Sequence, residues 1–362
     1  TERLPGITST FLTHNREVVN RNDDSVAFVE SDRVMMSRRS RGYAPYPIDV
    51  GVETADVLAC GTELKNTFAL LHGGRAFVSQ HTGDLENQAT LDFYEEMVLK
   101  FTRWFRHAPS AVAHDLHPDY LATRFARRHA RELGVPLKGI QHHHAHIASV
   151  MVENRIVDPV IGVALDGTGY GTDGKIWGCE FLVSRLDGFE RAGHLRYVPL
   201  PGGDAAIRHP YRVALSHIHY AGTSDLECLA AGLFPEIPAE ERDLVLQQIE
   251  KGVNCIDTSS AGRLFDAVSA ILGVCHEISY EAQAAIELES RAAQTMPAVS
   301  GRVFDYDIAE ADGGLIVDPS SIVRDVLSAR SAGEPVDTVA AVFHETVVAF
   351  CRDVCVMLRE RT

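Results

Sequence analysis

The stretch Val160-Ile161-Gly162-Val163-Ala164-Leu165-Asp166-Gly167-Thr168-Gly169-Tyr170-Gly171-Thr172-Asp173-Gly174 decides how this chain folds. An unbroken run of apolar and small residues reads as a buried strand. An acidic residue and a Gly-rich polar turn follow, and residues 176–184 return as a second strand, with Asp173-Gly174 at the hairpin tip. Residues 57–80 pass through a comparable cycle. A strand at 57–60 leads into a glycine turn, then into strand-like 66–71 and 75–80 joined by Gly73-Gly74. Two cycles of one design predict an α/β fold with mixed sheets in a duplicated, two-lobed ATPase architecture.

Between the cycles the periodicity predicts a helix over 89–106, a strand at 111–114, a helix over 119–133 and a strand at 137–140. Next comes Gln141-His142-His143-His144-Ala145-His146. A helix turns by about 100° per residue, so His142 and His146 project from one face a single turn apart. Two neutral imidazoles so placed can chelate a divalent ion. The alternative is a polar helix start whose histidines cap, stack or face water. Asp166, at the carboxyl end of its strand, is the candidate third ligand; its alternative role is to cap its own turn. His143 and His144 point off the chelating face and are expected to matter less as ligands.

Four turns are candidates for holding a nucleotide. They are Gly61 to Asn66 with Lys65, the Gly167-Thr168-Gly169 run, Gly202-Gly203-Asp204, and the capped helix start from Ser259 through Gly262 to Asp266. Glycines let backbone amides approach phosphate closely, and a lysine adds charge. Each turn alone is equally ordinary punctuation; together they are expected to converge on one cleft. Helices dominate residues 211–293, and a final helix runs from Val336.

The formal charge of -16 leaves no cationic excess to displace counterions, which argues against a nucleic-acid binder. Hydrophobic residues make up 45% and charged residues 23%, ordinary for a globular protein. No apolar run approaches about 18 residues and no signal peptide is evident, so no membrane span and a cytoplasmic location are expected. The seven cysteines include no Cys-x-x-Cys pair, and Cys351 and Cys355 read as core residues of the last helix.

Several longer strings carry a family resemblance. Glu63-Leu64-Lys65-Asn66-Thr67-Phe68, Ser79-Gln80-His81 with Gly83-Asp84-Leu85-Glu86-Asn87, and Asp115-Leu116-His117-Pro118-Asp119-Tyr120 are three of them. The histidine run, the Asp166 to Gly174 stretch, Leu200-Pro201-Gly202-Gly203-Asp204-Ala205-Ala206-Ile207-Arg208 and Gly262-Arg263-Leu264-Phe265-Asp266-Ala267-Val268 complete the set. In these the chain resembles the carbamoyltransferase HypF family of hydrogenase maturation factors, almost end to end. Residues 1–46, with their basic run Arg38-Arg39-Ser40-Arg41 and Pro-rich exit, resemble the tail of that family's YrdC-like domain. Residues 47–362 resemble its carbamoyl-transfer domain of the ASKHA type, with a first lobe over about 47–155 and a second over about 156–362.

The resemblance implies that carbamoyl phosphate and ATP yield a carbamoyl-adenylate. The carbamoyl group then passes to the C-terminal cysteine of a HypE-type acceptor and becomes the cyanide ligand of the [NiFe] hydrogenase. It implies His142, His146 and Asp166 as ligands of a divalent metal, Fe or Zn, with Mg accompanying the nucleotide. No residue is singled out as catalytic. The family's Ser-Gly-Gly-Val-type loop and late Asp-Gly-Gly have no counterpart before Thr362, and Asp312-Gly313-Gly314 reads as a plain turn. An incomplete nucleotide site, binding ATP more weakly than a full-length relative, is therefore expected. Two other readings compete: an O-carbamoyltransferase for a small hydroxylated molecule, and a metal-binding fragment without activity of its own. The order, YrdC-like tail before transfer domain, favours the HypF reading over the first.

Overall fold

The computed structural model describes residues 10–223, 226–293, 295–311 and 313–361. The chain divides into two compact units, residues 1–113 with 120–137, and residues 114–119 with 138–362. The first opens with an antiparallel ribbon, β1 (Val26–Glu30) against β2 (Arg33–Arg38). A six-stranded mixed sheet follows from β3 (Ile48–Asp49), β4 (Val57–Ala59), β5 (Ala69–His72) and β6 (Arg75–Val78). After helix α1 (Gln88–Trp104) come β7 (Ala111–Asp115), helix α2 (Leu121–Leu133) and β8 (Leu137–Ile140). The sheet order is β3-β6-β5-β4-β7-β8, and the carboxyl ends of β7 and β8 group with the second unit.

Local chemistry explains these boundaries. Asn87 accepts a hydrogen bond from the Thr90 amide and starts α1, while Gly134 at φ 68° ends α2 in the left-handed conformation. The strand expected at 66–71 begins only at Ala69. Asn66 is drawn out of it, because its buried amide donates to the carbonyl of Cys60 and its side-chain oxygen accepts from Thr82. The core beneath is aromatic, with Phe68 edge-on to Tyr94 at 5.7 Å and to Phe101 at 5.1 Å.

The second unit begins at α3 (His142–Glu153), then β9 (Val160–Tyr170), β10 (Ile176–Arg185), β11 (Gly188–Leu195) and β12 (Val198–Pro201). Helices α4 (Asp204–Arg208), α5 (Pro210–Tyr220), α6 (Leu226–Leu233) and α7 (Ala239–Lys251) lead to β13 (Cys255–Thr258). Then follow α8 (Ala261–Ile271), α9 (Gln283–Ala293), α10 (Met296–Val299), β14 (Asp307–Ala311), β15 (Gly314–Asp318), α11 (Ser320–Ser331) and α12 (Val336–Arg361). The sheet order is β12-β13-β10-β11-β15-β14, with β9 antiparallel to β10. Buried faces of α5, α8 and α12 meet in one core, through residues such as Val213, Leu264 and Phe343. Cys351 and Cys355 pack against that core, as small apolar side chains do. Gly313, at φ 82°, sits between β14 and β15, and Asp312 lies outside the described residues. No helix among the described residues is long and apolar enough to cross a membrane.

One expectation is corrected. The Gly-rich stretch after Asp166 is not a turn: β9 continues through Tyr170, and the chain reverses only at Gly171 to Gly174. Neither Gly167 nor Gly169 has a positive φ, so these glycines serve for space and not for turning. Trp177 pairs with Gly169 and Cys179 with Leu165, leaving Gly178 alone opposite residues 166–168. A bulge of this kind re-aims side chains, here that of Asp166.

The core also contains a pH-sensitive group. His217 of α5 is 2% exposed, its Nε2 makes no hydrogen bond, and its pKa is lowered to about 3. Burial is the main cause, helped by the Arg196 charge and opposed by Asp318. The folded state therefore resists a proton that the unfolded chain accepts near pH 6.5. Stability is full above that pH and falls as pH drops toward 3, by roughly 2 kcal/mol between pH 6.5 and 5 at about 1.36 kcal/mol per unit. Urea midpoints should fall over that window in the wild type and stay flatter in His217→Leu. Parallel curves would assign the acid sensitivity to other groups.

Candidate metal centre

The second unit assembles the three expected ligands without help from any distant segment. Gln141 caps α3 by accepting from the His144 amide at 2.8 Å, which fixes where the helix starts and how its first turn projects. His142 Nε2 and His146 Nε2 then stand 3.1 Å apart, as the i, i+4 spacing requires. The bulge in β9 brings Asp166 Oδ2 to 3.2 Å from His142 Nε2. Ligand atoms of His142, His146 and Asp166 all lie within 4.8 Å of one another.

These residues fit a divalent cation. Donors at about 2.0–2.2 Å around one tetrahedral ion stand roughly 3.3–3.6 Å apart, close to the separations found. The donor set points the same way. Asp115 Oδ2 lies 2.7 Å from His142 Nδ1, so that nitrogen carries a proton and Nε2 of the neutral ring is a bare lone pair. That lone pair faces the Asp166 carboxylate, whose Oδ2 is buried and makes no hydrogen bond. Acceptors facing acceptors need a proton or a metal between them.

With a proton there, the electrostatics follow from the geometry. Burial works against charging His142, but Asp115 and Asp166 outweigh it and raise its pKa to about 9. Burial would likewise raise the Asp166 pKa, yet the imidazoles of His142 and His143 hold it well below the usual carboxylate range. His146, partly desolvated by its neighbours and beside the His142 charge, is instead harder to protonate than usual. A divalent ion would replace the shared proton and leave Asp115 to orient His142, the usual carboxylate–histidine–metal arrangement.

The sequence reading missed two members of this cluster. His143 is wholly buried, stacked on Trp177 at 6.2 Å, with Nε2 3.3 Å from Asp166 Oδ2. Asp115 sits at the end of β7, a position that could have been singled out because strand ends carry ligand groups in α/β folds. Gly169 is what admits the imidazoles. A Cβ there would lie 2.3 Å from His143 Cε1 and 3.0 Å from His142 Cδ2.

The other candidate residues are distributed as follows. Gly167 lies against Gly262, since a Cβ on Gly262 would stand 2.8 Å from Gly167 Cα. Ser260 Oγ donates to the carbonyls of Asp166 and Gly167, both at 2.8 Å, and tethers the start of α8 to β9. Thr168 is an exposed residue of β9, and Asp266 is buried in α8 beside Arg263. Gly202 and Gly203 form a tight turn at φ 89° and 55°, where the Gly202 amide donates to Asn254 and Asp204 starts α4. That turn bonds to Asn254, at the opposite end of β13 from Ser260 and six residues before it, roughly 20 Å along extended chain at about 3.3 Å per residue. Lys65, at φ 48°, and Asn66 belong to the first unit.

A mixed-sheet α/β fold in which two histidines of a helix face an aspartate at a strand bulge fits a Kae1-like protein of the ASKHA type. Residues 52–153 match the family described as "HypF Kae1-like domain", and residues 162–362 match "Carbamoyltransferase, Kae1-like Domain, second subdomain". The carbamoyltransferase HypF of Rhodobacter capsulatus is 41% identical over 353 residues, 96% of this chain and 45% of that protein. A HypF homolog of Cupriavidus necator is 39% identical over 84% of this chain and 78% of its own length. Among solved structures, full-length HypF in its phosphate- and nucleotide-bound form superimposes with a TM-score of 0.89 at 41% identity. It is covered over 96% of this chain and 44% of that one. The HypF of T.kodakarensis gives 0.77 at 35% identity, over 89% and 43%. The chain belongs to the HypF carbamoyltransferase family, and it spans less than half the length of the R. capsulatus relative.

Proposed function

We propose that this chain carries out carbamoyl transfer from carbamoyl-adenylate, itself made from carbamoyl phosphate and ATP, to the C-terminal cysteine thiol of a HypE-type acceptor. The product would supply the cyanide ligand of a [NiFe] hydrogenase, in the cytoplasm. The observation that carries this reading is the cluster of His142, His146 and Asp166 in a chain that matches both Kae1-like subdomains of the family. A relative described as nucleotide- and phosphate-bound supports a nucleotide ligand here.

In this reading His142, His146 and Asp166 hold one divalent ion, Fe or Zn, with a position left for ligand. When bound, the ion supplies Lewis acidity toward a carbonyl or phosphoryl oxygen. Asp115 keeps the His142 Nδ1–H in place, so that Nε2 always faces the centre. Gly167, Thr168 and Gly169 present extended backbone beside Asp166, while Gly262 lies against it from α8 and Asp266 pairs with Arg263. Gly202, Gly203 and Asp204, at the far end of β13, would flank the ribose or base. The acceptor thiolate attacks the carbamoyl carbon, the C–S bond forms and AMP departs with the bonding electrons.

The test is direct. The metal-loaded chain is incubated with carbamoyl-adenylate and an acceptor ending in cysteine, and the acceptor is examined by mass spectrometry. Gain of one carbamoyl group, absent when the terminal cysteine is replaced by alanine, is the expected result. A metal-loaded chain that leaves the acceptor unmodified would refute the transfer reading.

A further inference from the structure

Beside the metal ligands lies a cation that the mechanism above does not use. Arg263 is the third residue of α8, and side chains on a helix lean toward its amino end. Its guanidinium therefore reaches back over β9. A Cβ built on Gly167 would stand 3.6 Å from Nη2 and meet nothing else within 4 Å. Gly167 directly follows Asp166, so this charge sits one residue from the metal carboxylate.

Arg263 is only 6% exposed, and its Nε makes no hydrogen bond. Its ionic partner is Asp266, with Nη2 2.8 Å from Oδ2. That contact is poorly directed, because the same Oδ2 also lacks a hydrogen bond. Burial accordingly pushes the Asp266 carboxyl up, despite the neighbouring Arg263 charge. A guanidinium offers five donors in a planar fork, and a buried one with donors unused is costly unless something completes it. Three features thus converge beside Gly167: unused guanidinium donors, an open face above a glycine, and the positive end of an eleven-residue helix.

We propose that Arg263 grips a phosphate oxygen of the ligand at this centre. Asp266 keeps one Nη2 hydrogen while Nε–H and the Nη2 hydrogen parallel to it turn to the ligand, a bidentate arrangement that suits tetrahedral oxyanions. The inference rests on reading the His142, His146 and Asp166 cluster as a ligand-binding metal centre. The shared chemistry is a phosphate oxygen, which an adenine nucleotide, carbamoyl phosphate or inorganic phosphate can each supply.

The experiment titrates the zinc-loaded chain separately with ATP, carbamoyl phosphate, inorganic phosphate and adenosine. Two variants are compared: Arg263→Lys, which keeps the charge without the fork, and Arg263→Met combined with Asp266→Asn, which leaves no orphaned buried charge. The double variant should weaken every phosphate-bearing ligand that the wild type binds by roughly tenfold or more, with the lysine variant in between. In Arg263→Lys, which leaves Asp266 intact, adenosine affinity and zinc per chain should not change. The arm with the steepest loss identifies the source of the phosphate. Unchanged phosphate affinity in a folded double variant would overturn the proposal. So would an equal loss for adenosine, or a wild type that binds none of the three phosphate ligands. Carbamoyl transfer is read separately, so failure of that assay with an Arg263-dependent phosphate site would strike only the proposed function.

Discussion

Alanine at His142 or at His146 should abolish stoichiometric metal binding, and with it carbamoyl transfer. Each imidazole supplies one of only three donors in the cluster, so its loss should weaken metal binding by well over the ~100-fold that marks the upper range for an outer partner. His146 is the cleaner test, because it is an exposed residue and its removal leaves the His142–Asp115 hydrogen bond in place. His142→Ala also removes the partner of Asp115 Oδ2, while Oδ1 keeps the His117 amide, so a modest loss of stability should accompany loss of the metal. Asp115→Asn separates orientation from ligation, since the amide oxygen can still accept from Nδ1 without contributing charge. It should lower metal affinity by roughly 10- to 100-fold and leave a measurable site. Metal content by elemental analysis, alongside thermal unfolding, decides the matter. Undiminished metal in both alanine variants would make the histidines a capping and stacking cluster.

Elements with strong periodicity were legible in the sequence because a single physical pattern set them. Residues 137–140 and the histidine helix fall where alternation and i, i+4 spacing put them. The long apolar run ahead of Asp166 is β9, as its unbroken hydrophobicity implies. The role of the glycines was not legible. In a linear reading, Gly167 and Gly169 look like turn residues or a phosphate cradle. At Gly169 the cause is steric, two imidazoles standing where its Cβ would lie, whereas the close packing of the helix start on the strand is met by Gly262, whose Cβ would press on Gly167 Cα. Asp115 was hidden for a related reason. It lies 27 positions before His142, and no local pattern announces that a strand end and a helix start will meet through one hydrogen bond. Lys65 and Asn66 show the reverse case. A motif that suggested phosphate binding also has a structural task, with Asn66 bonded to Cys60 and Thr82.

Gly169→Ala should be among the most damaging single-methyl additions in this chain. The new Cβ would stand 2.3 Å from His143 Cε1 and 2.8 Å from its Nε2, far inside van der Waals contact. A flexible side chain would move aside, but His143 is fully buried and stacked against Trp177. Trp177 is itself tied by its Nε1–H to Asp173 and covered by the Arg191 guanidinium at 3.8 Å. Relief must therefore come from shifting α3 away from β9, which carries His142 and His146 away from Asp166. Overpacking of a filled interior typically costs about 1–3 kcal/mol, and here the displaced groups are also the metal ligands. The expected result is a lower unfolding temperature together with weakened metal binding. Ala substitution at Gly188, where an added Cβ meets nothing within 4 Å, serves as the control and should be close to neutral. The double variant Gly169→Ala with His143→Ala removes the colliding ring and should recover part of the lost metal affinity. If Gly169→Ala alone binds metal as the wild type does, the strand and the histidine helix do not constrain each other, and the account of this site built on their close approach is wrong.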